Sequence, residues 1–296
     1  MYSNILQVIG NTPLVRLAEH QNIYLKLEYL NPGGSIKDRP ALFMIEEAEK
    51  SGQLKPGDTI IDASSGNFGA TLAMIGAIKG YKVVITVPEK ISAEKLGAIK
   101  AYGAEVIVCP VVHDVSNPQH YRRKVEEVQK SLPNSFRPNQ YYNENNPLCH
   151  FSVLGPEIWR QTEGKITHLF VGIGTGGTIS GVGKYLKAQN QAIKIIGVDS
   201  DTSSRATNGN PGSSKVEGIG IDPDMILIDY TVIDTIINIS DSDAFNTVKT
   251  IATQNGILLG PSSGAVIAAV LQYQFTPDDL VVVICPDSGK AYLSKM

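Results

Sequence analysis

The sequence predicts an α/β protein with two lobes, each a mostly parallel β-sheet flanked by helices. Short β-branched runs alternate with helical stretches along all 296 residues of the chain. The strand runs are uniformly apolar, which is typical of parallel sheets that helices cover on both faces. A polar, turn-rich segment at residues 133–147 interrupts the alternation, so we expect the chain to cross between the lobes there.

The individual elements follow from hydrophobic period and turn chemistry. The apolar runs predict strands at 58–62, 82–87, 105–109, 168–172, 194–199 and 280–285. The amphipathic runs between them predict helices at 41–50, 71–79, 94–102, 120–131, 179–188 and 244–254. Residues 200–224 form a second polar interruption, which predicts either a mobile active-site loop or a disordered insertion because it is too long for an ordinary connection.

Composition and charge exclude several classes of protein. A net charge of −3 leaves no broad basic face for nucleic acid, and no apolar run reaches the roughly 20 residues that cross a membrane. The N-terminal segment lacks the basic and apolar regions of a signal peptide. Three widely spaced cysteines, Cys109, Cys149 and Cys285, indicate neither a disulfide framework nor a metal site. We therefore expect a cytoplasmic protein without a structural metal.

The first candidate for chemistry is Lys37, in the segment Asn31-Pro-Gly-Gly-Ser-Ile-Lys-Asp-Arg-Pro40. This segment follows an alternating apolar strand at 23–30 and opens a helix with a proline in its first turn, where proline fits. A lysine held at such a glycine-rich junction can be desolvated, which lowers the pKa of its amine and frees it to attack a carbonyl. The alternative is a surface lysine beside a turn.

Two further glycine-rich turns follow predicted strands. Ser64-Ser-Gly-Asn-Phe-Gly69 joins backbone N–H groups at a helix start to hydroxyls and an amide, which suits a carboxylate; the alternative is a capped helix start. Residues 172–181 (GIGTGGTISG) predict a phosphate cradle that includes the hydroxyls of Thr175 and Thr178. The same residues satisfy the dinucleotide pattern, with Asp199 downstream, so a nicotinamide-dependent oxidoreductase is a rival prediction.

Two more turns complete the set. Residues 260–264 (GPSSG) precede an apolar helix predicted at 265–271, and residues 286–290 (PDSGK) follow the last predicted strand. Each alone is typical of an ordinary cap or turn. Together, however, the glycine and serine turns lie at the carboxyl ends of predicted parallel strands, which is where open α/β sheets bind their ligands.

Taken in order, these segments resemble the cysteine synthase and cystathionine β-synthase family of fold-type II pyridoxal-phosphate enzymes. The resemblance runs from Ile9-Gly-Asn-Thr-Pro-Leu14 to Tyr292-Leu-Ser-Lys295. Five motifs in the family's order are much more specific than any one of them. The resemblance implies a tryptophan synthase β-like fold, with residues 38–145 as a smaller, mobile lobe and residues 1–37 plus 146–296 as a larger lobe.

The resemblance also implies a role for each candidate residue. Lys37 would hold pyridoxal 5′-phosphate covalently and act as the catalytic base, with Asn67 at the cofactor's 3′-hydroxyl and Ser262 at its pyridine nitrogen. The phosphate would bind to Gly174, Thr175, Gly176, Gly177 and Thr178. The carboxylate loop for the substrate would comprise Ser64, Ser65, Asn67 and Phe68, with Gln140 reaching the same place and Gly218 lying over the cleft.

The implied reaction replaces the β-substituent of a serine-type amino acid, namely O-acetylserine, O-phosphoserine or serine, by sulfide or a thiol. Sulfide gives L-cysteine, and homocysteine, the acceptor of cystathionine β-synthase, is the alternative. Pro88-Glu-Lys-Ile-Ser92 and Glu217-Gly-Ile-Gly-Ile-Asp222 resemble the cystathionine β-synthase branch. A non-catalytic relative that binds pyridoxal phosphate is a further alternative. The resemblance also implies a homodimer.

Departures from the family pattern bear on the choice of substrate. The family's carboxylate loop usually reads Thr-Ser-Gly-Asn-Thr-Gly, and this chain has Ser64 and Phe68 at the two threonine positions. Phe68 removes a hydroxyl from the expected substrate contact and adds bulk, although its backbone N–H remains. Val153-Leu154 replaces the usual Thr-Thr. We expect His150 and Trp159 to be packing residues.

Overall fold

A computed structural model describes residues 1–18, 20–112 and 117–295. The strands within these residues are β1 Leu14–Arg16, β2 Ile23–Leu27, β3 Thr59–Ala63, β4 Lys82–Pro88, β5 Glu105–Cys109, β6 Ser135–Phe136, β7 His168–Gly172, β8 Lys194–Ser200, β9 Thr235–Ile239 and β10 Val281–Cys285. The α-helices are α1 Asp38–Lys50, α2 Asn67–Lys79, α3 Ala93–Ala101, α4 Tyr121–Lys130, α5 Asn145–Cys149, α6 Gly155–Gln161, α7 Gly177–Gln189, α8 Asp241–Asn255 and α9 Pro261–Leu271.

The described strands form two sheets. The larger has the order β1-β2-β10-β7-β8-β9 and is parallel except for the antiparallel pair of β1 and β2. The smaller has the order β5-β4-β3-β6 and is parallel throughout. Helices follow the strands in both, so the predicted fold class, two α/β units with mostly parallel sheets, is confirmed.

Both faces of the larger sheet are buried. Phe170 in β7 packs on one face with Val266 of α9, whereas its neighbours Leu169 and Val171 pack on the other face with Val182 of α7. This alternation follows from the period of two along a strand. Because helices cover both faces, the strand is apolar at every position, which explains why the sequence shows a continuous apolar run.

Each predicted strand is present, and the ends agree within one residue except for the strand predicted at 23–30, which ends at Leu27 because Glu28–Leu30 form a 3-10 turn. The strands that the prediction lacks are β1, β6 and β9, and each lies at the edge of a sheet. β1 has three residues and β6 has two, which is too short for a period to be recognisable. An edge strand is also half exposed, so its sequence carries less apolar signal.

Most of the predicted helices begin earlier than their apolar period indicates. α2 begins at Asn67, α7 at Gly177 and α9 at Pro261, and each start lies inside one of the glycine and serine turns. The polar first turn hides the start of such a helix from a hydrophobic pattern. As a consequence, the candidate motifs lie in the first turns of helices, where backbone N–H groups lack intrahelical partners. No helix in the described residues is long and apolar enough to span a membrane.

Residues 200–224 are folded against the larger sheet, so the prediction of a disordered insertion is wrong. Asp199, at the end of β8, is fully buried and accepts hydrogen bonds from Ser203 Oγ at 2.6 Å, Arg205 Nε at 2.9 Å and Ile221 N–H at 3.0 Å. Val216 and Ile221 are buried in the core. A single carboxylate thereby organises a long segment that has no regular secondary structure.

A buried ion-pair network fixes the start of α1 against the larger sheet. Arg39 donates to Glu28 at 2.6 Å and to Glu157 of α6 at 2.9 Å. Lys26 of β2 pairs with the same Glu157. These side chains are at most 5% exposed, and their mutual hydrogen bonds offset the cost of burying the charges. The network therefore holds Lys37 in place, two residues before Arg39.

Candidate active site

A cavity of about 370 Å³ lies where the two sheets meet. Its wall includes the carboxyl ends of β7 and β10 and the turns that follow β3, β7 and β10. The structure brings together all the predicted site residues at this wall except Gly177, which does not line it: Lys37, Ser64, Ser65, Asn67, Phe68, Gln140, Gly174, Thr175, Gly176, Thr178, Gly218 and Ser262.

Lys37 lies at the start of α1, beside the turn after β10. The Ile36 N–H donates to the carbonyl of Pro286 at 2.8 Å, and Ser35 forms an antiparallel bridge with Asp287. Burial lowers the pKa of the Lys37 amine to about 8, against the attraction of the Asp287 carboxylate. A larger fraction of this amine is therefore neutral near pH 7 than for an exposed lysine, which suits attack on an aldehyde.

The turn between β3 and α2 is shaped by Ser64. Its Oγ accepts hydrogen bonds from the N–H groups of Gly66 at 3.0 Å and Gly69 at 2.9 Å. Gly66 has a φ of +148°, a conformation that only glycine adopts without strain. The Ser64 hydroxyl thus supports the loop backbone, and the first turn of α2 is presented at the cavity wall beside Ser65.

Phe68 belongs to both the cavity wall and the core of the smaller unit. Its side chain is 1% exposed and packs in the cluster that contains Met44, Leu72 and Ile85. The bulk that this residue adds relative to threonine is therefore accommodated in the core rather than in the open cavity. This location follows from its position in the first turn of α2, which packs against β4 and α1.

The glycine loop after β7 packs closely against Asn146 and Gly218. A Cβ on Gly177 would lie 2.1 Å from Asn146 Oδ1, and a Cβ on Gly174 would lie 2.5 Å from the carbonyl of Gly218. Gly176 has a φ of +88°. The two close contacts and the positive φ each require glycine. The loop backbone therefore lies at the cavity wall, where the first N–H groups of α7 can bind an anion.

Asn146 and Gln140 connect this loop to the segment between the sheets. The Asn146 amide donates to Thr175 Oγ1 at 3.0 Å and to the backbone carbonyl of Gln140 at 2.8 Å. Both residues are buried, at 2% and 4% exposure. Asn146 is not recognisable as a site residue from the sequence, because an asparagine at a helix start is most often a cap. Its partners are distant in sequence and only the folded chain reveals them.

Ser262 lies in the first turn of α9 and faces the cavity. It is 3% exposed, and its hydroxyl has no hydrogen-bond partner within the described residues. Gly260 caps this helix, and its backbone N–H donates to the carbonyl of Asp287 at 3.0 Å. The helix start is therefore tied to the same turn that adjoins Lys37.

Asp287 and Tyr292 are further site residues that the sequence did not predict. Asp287 Oδ2 accepts hydrogen bonds from Asn67 Nδ2 at 2.7 Å and from the Tyr292 hydroxyl at 2.6 Å. Both residues line the cavity and are almost fully buried. The turn at 286–290 was conspicuous in the sequence, but nothing in its residue types indicated a partner 220 positions away.

A second part of the cavity wall carries charged and aromatic groups. The Arg122 guanidinium lies 3.8 Å over the ring of Tyr141, and its Nη1 is 3.4 Å from Asp224. The Arg122 side chain is 13% exposed, and its Nη2 has no hydrogen-bond partner in the part of the chain that is described. Asp222 also lines the wall, and burial raises the pKa of its carboxyl group.

His150 and Trp159 were expected to be packing residues. Trp159 packs against the cluster formed by α7 and the larger sheet. His150 is 1% exposed, and burial lowers its pKa well below the ordinary value, so the ring is neutral near pH 7. Its Nε2 lies 3.3 Å from Thr178 Oγ1. His150 therefore packs beside the glycine loop and supports it.

The arrangement fits pyridoxal phosphate. It combines a buried amine of lowered pKa, a glycine loop at a helix start and a serine hydroxyl without a partner, all on one wall. The described residues include no group of three or more His, Cys, Asp or Glu placed to hold a metal ion.

Comparison with known proteins gives the family. Residues 5–287 match the family of pyridoxal-phosphate-dependent enzymes. The chain is 43% identical to cystathionine β-synthase of Apis mellifera over 99% of its own length, and it spans only 60% of that relative. It is 40% identical to cysteine synthase of Staphylococcus aureus, with 98% of this chain and 95% of the relative covered.

A solved structure gives the same result. The O-acetylserine-dependent cystathionine β-synthase from Helicobacter pylori superposes with a TM-score of 0.90 at 36% identity, over 100% of this chain and 98% of the other. The agreement in sequence extends through the glycine loop, the lysine turn and the last strand, since the family match covers all three. The chain belongs to the family of pyridoxal-phosphate-dependent enzymes, among relatives named cysteine synthase and cystathionine β-synthase.

Proposed function

We propose that this protein replaces the β-substituent of a serine-type amino acid, namely O-acetylserine, O-phosphoserine or serine, by sulfide, and so forms L-cysteine. The observation that carries the proposal is that Lys37 and the glycine loop at 174–178 line one cavity. One small cofactor can then contact the amine with its aldehyde and the loop with its phosphate. The relatives named cysteine synthase support the choice of reaction.

Lys37 and Ser262 are the groups proposed to act on the cofactor and the reacting carbon. When bound, the cofactor withdraws electrons from the substrate's α-carbon and so makes loss of the β-substituent possible. Lys37 would hold the cofactor, and its free amine would remove the proton from the α-carbon of the substrate and later return it. Ser262 would hold the pyridine ring with a neutral hydroxyl, which would not favour a proton on the ring nitrogen.

The substrate carboxylate is proposed to bind at the first turn of α2. The backbone N–H groups there lack intrahelical partners, and a helix start favours an anion. Ser65, Asn67 and Gln140 line the same wall and supply further donors. We further propose that residues 38–145 act as a mobile lobe, which closes on the carboxylate and keeps water from the reacting carbon.

A second acceptor, an amino-acid thiol such as homocysteine, is favoured by the wall around Arg122. Its guanidinium is mostly buried at the cavity, and Nη2 lacks a partner among the described residues. A guanidinium is the preferred partner of a carboxylate, and sulfide carries none. The relatives named cystathionine β-synthase agree with this acceptor.

The nicotinamide-dependent alternative loses its support in the fold. Its expected ribose partner, Asp199, is fully buried and its carboxylate is occupied by backbone and side-chain donors of the same segment. An acidic residue must be free to bind a ribose hydroxyl. The alternative also gives no role to Lys37.

The proposed function is tested on the purified protein. We expect a yellow protein in which borohydride attaches the cofactor to the peptide that contains Lys37, as mass spectrometry would detect. Each donor amino acid is then added, and the visible absorption should change for at least one of them; sulfide should reverse the change and release L-cysteine. A colourless protein that takes up no cofactor contradicts the proposal, and colour without any response to donors indicates a non-catalytic relative.

A further inference from the structure

Asp287 is at the junction of three segments that carry the candidate site. Its backbone carbonyl accepts from Gly260, the cap of the helix that contains Ser262, and its backbone bridges Ser35, two residues before Lys37. Asp287 directly follows the end of β10 and Pro286. The position of this residue is therefore determined by the larger sheet, at the center of the site.

The side chain of Asp287 connects this junction to the smaller sheet. Its Oδ2 accepts from Asn67 Nδ2 at 2.7 Å and from the Tyr292 hydroxyl at 2.6 Å. Asn67 begins α2, which belongs to the smaller unit. The Tyr292 ring in turn lies 3.9 Å below the ammonium of Lys95 on α3. The carboxylate thus fixes the orientation of the Asn67 amide relative to the larger unit.

The second carboxylate oxygen has no hydrogen-bond partner among the residues that the structure describes. Oδ1 is buried there, and Asp287 as a whole is only 2% exposed. Gly260 permits this position, because a Cβ there would lie 2.0 Å from Oδ1. A buried carboxylate oxygen without a donor is costly, so a positive charge nearby would stabilise it.

Lys37 supplies a positive charge in the segment that the Ser35–Asp287 bridge holds beside this carboxylate. The Asp287 carboxylate is the charged group that opposes the lowering of the Lys37 pKa by burial. The other ionisable groups packed around the pair are neutral near pH 7, because burial lowers the pKa of His150 and raises the pKa values of Cys285 and Tyr292. Lys95 and Glu217, which adjoin the Tyr292 ring, are paired with each other at 2.8 Å.

We propose that Asp287 is a positioning residue, which orients the Asn67 amide through Oδ2 and supplies a counter-charge to the Lys37 ammonium across the bridge between Ser35 and Asp287. The inference rests on the roles proposed above for Lys37 and Asn67. It adds a reason for a carboxylate at this turn, where a neutral residue would satisfy the backbone contacts equally well. A purely structural role for Asp287 would affect folding but neither the ionisation of Lys37 nor the coupling to Asn67.

The first experiment measures the ionisation of Lys37 in the cofactor-free full chain. Competitive acetylation at a series of pH values, with mass spectrometry of the Lys37 peptide, gives the pKa of the amine. Asp287→Asn removes the charge and keeps the shape, so the pKa should fall by about one unit. Labelling at pH 7 should then rise about fivefold. Tyr292→Phe keeps the carboxylate and should leave the pKa unchanged, as should Asp278→Asn, the matched loss of an exposed charge.

The second experiment measures the affinity for pyridoxal phosphate. Asp287→Asn and Asn67→Ala should each weaken binding about tenfold, and the double variant should lose clearly less affinity than the two single losses combined, because both variants remove the same contact. Tyr292→Phe should weaken binding two- to threefold at most, and it should also add nothing to Asn67→Ala. If Asp287→Asn does not fold, the coupling is tested with Tyr292→Phe alone and combined with Asn67→Ala. In that case Asp287→Ser replaces Asp287→Asn in the labelling experiment.

If the pKa of Lys37 is unchanged in Asp287→Asn, Asp287 is not the counter-charge of Lys37. If the losses of cofactor affinity in the Asp287→Asn and Asn67→Ala variants are additive, Asp287 does not act through Asn67. Both measurements are made without amino-acid substrates. Failure of the inference therefore differs from failure of the proposed function. If only the proposed function fails, Asp287→Asn still lowers the pKa of Lys37 and is still coupled to Asn67→Ala, but the protein makes no L-cysteine.

Discussion

The ammonium of Lys95 lies 2.8 Å from Glu217 Oε2. This pair joins α3 to the long segment at residues 200–224. The stem of Lys95 packs against Gly66, where a Cβ would lie 2.3 Å from Lys95 Cδ. Lys95 is 5% exposed and Glu217 is 17% exposed. One buried side chain thereby connects the carboxylate loop, the long loop and the ring of Tyr292.

Breaking this pair should destabilise the fold. Lys95→Met leaves a mostly buried carboxylate with one partner fewer, so we expect the free energy of unfolding to fall by about 2 kcal/mol in urea titration at pH 7. Glu217→Gln should have a similar effect, and the double variant should lose less than the sum. Additive losses would mean that the two side chains do not act together.

The same pair makes a prediction for pH. The nearby Lys95 and Lys295 lower the pKa of Glu217 against the effect of its burial. A depressed carboxyl pKa contributes stability above the unfolded pKa, and this contribution is lost as the pH falls through the folded pKa. The difference in unfolding free energy between the wild type and Glu217→Gln should therefore shrink below about pH 4.5. Lys50→Met, which breaks an exposed pair with Glu47, is the control and should change stability at neither pH.

Replacing Lys37 should stabilise the cofactor-free protein, whereas breaking the pair of Lys95 and Glu217 should destabilise it. Burial lowers the pKa of this amine from 10.5 to about 8, so folding opposes its protonation. The cost appears as the pH falls from 10.5 and is complete below about 8. Lys37→Met should stabilise the cofactor-free protein by about 2 kcal/mol at pH 7, discounted because part of the side chain faces the open cavity.

The measurement for Lys37→Met is urea unfolding at pH 7 and pH 10. The stabilising effect should diminish toward pH 10, because the folded amine is then neutral and the unfolded amine, with its pKa of 10.5, has begun to lose its proton. A difference that stays constant with pH would attribute the effect to packing. The variant should also be colourless after incubation with pyridoxal phosphate and borohydride.

Phe68→Thr restores the residue that the family usually has in this loop. Because the Phe68 ring is buried in the core of the smaller unit, we expect a loss of about 3 kcal/mol in the free energy of unfolding. The backbone N–H is retained, so KM for the donor amino acid should change less than about threefold. A large change in KM with little loss of stability would mean that the ring itself contacts the substrate.

Arg122→Gln tests the choice of acceptor. Losing a charged partner for a carboxylate should raise KM for homocysteine about tenfold. KM for sulfide and for 2-mercaptoethanol, which carry no carboxylate, should not change. Arg123→Gln, at the neighbouring and more exposed position, is the matched control. Equal changes for all acceptors would show that Arg122 only supports the cavity wall.

Local patterns were sufficient for much of the fold and for the central residues of the site. The apolar runs predicted the core strands because burial on both faces leaves its mark on every residue of the strand. Lys37 and the glycine loop were recognisable because a helix start and a close backbone approach require particular residue types in sequence. The edge strands and the first turns of the helices were not predicted, because their residues show no apolar period.

By itself, the sequence determined the elements, the motifs and their order, since propensity, turn chemistry and hydrophobic period act over a few neighbouring residues. The tertiary structure alone decided which distant side chains meet. Asp287 and Asn67 are 220 positions apart, and Arg122 meets Asp224 across 102. Such pairs form because the packing of whole sheets and helices brings their ends together, and no local pattern records the partner.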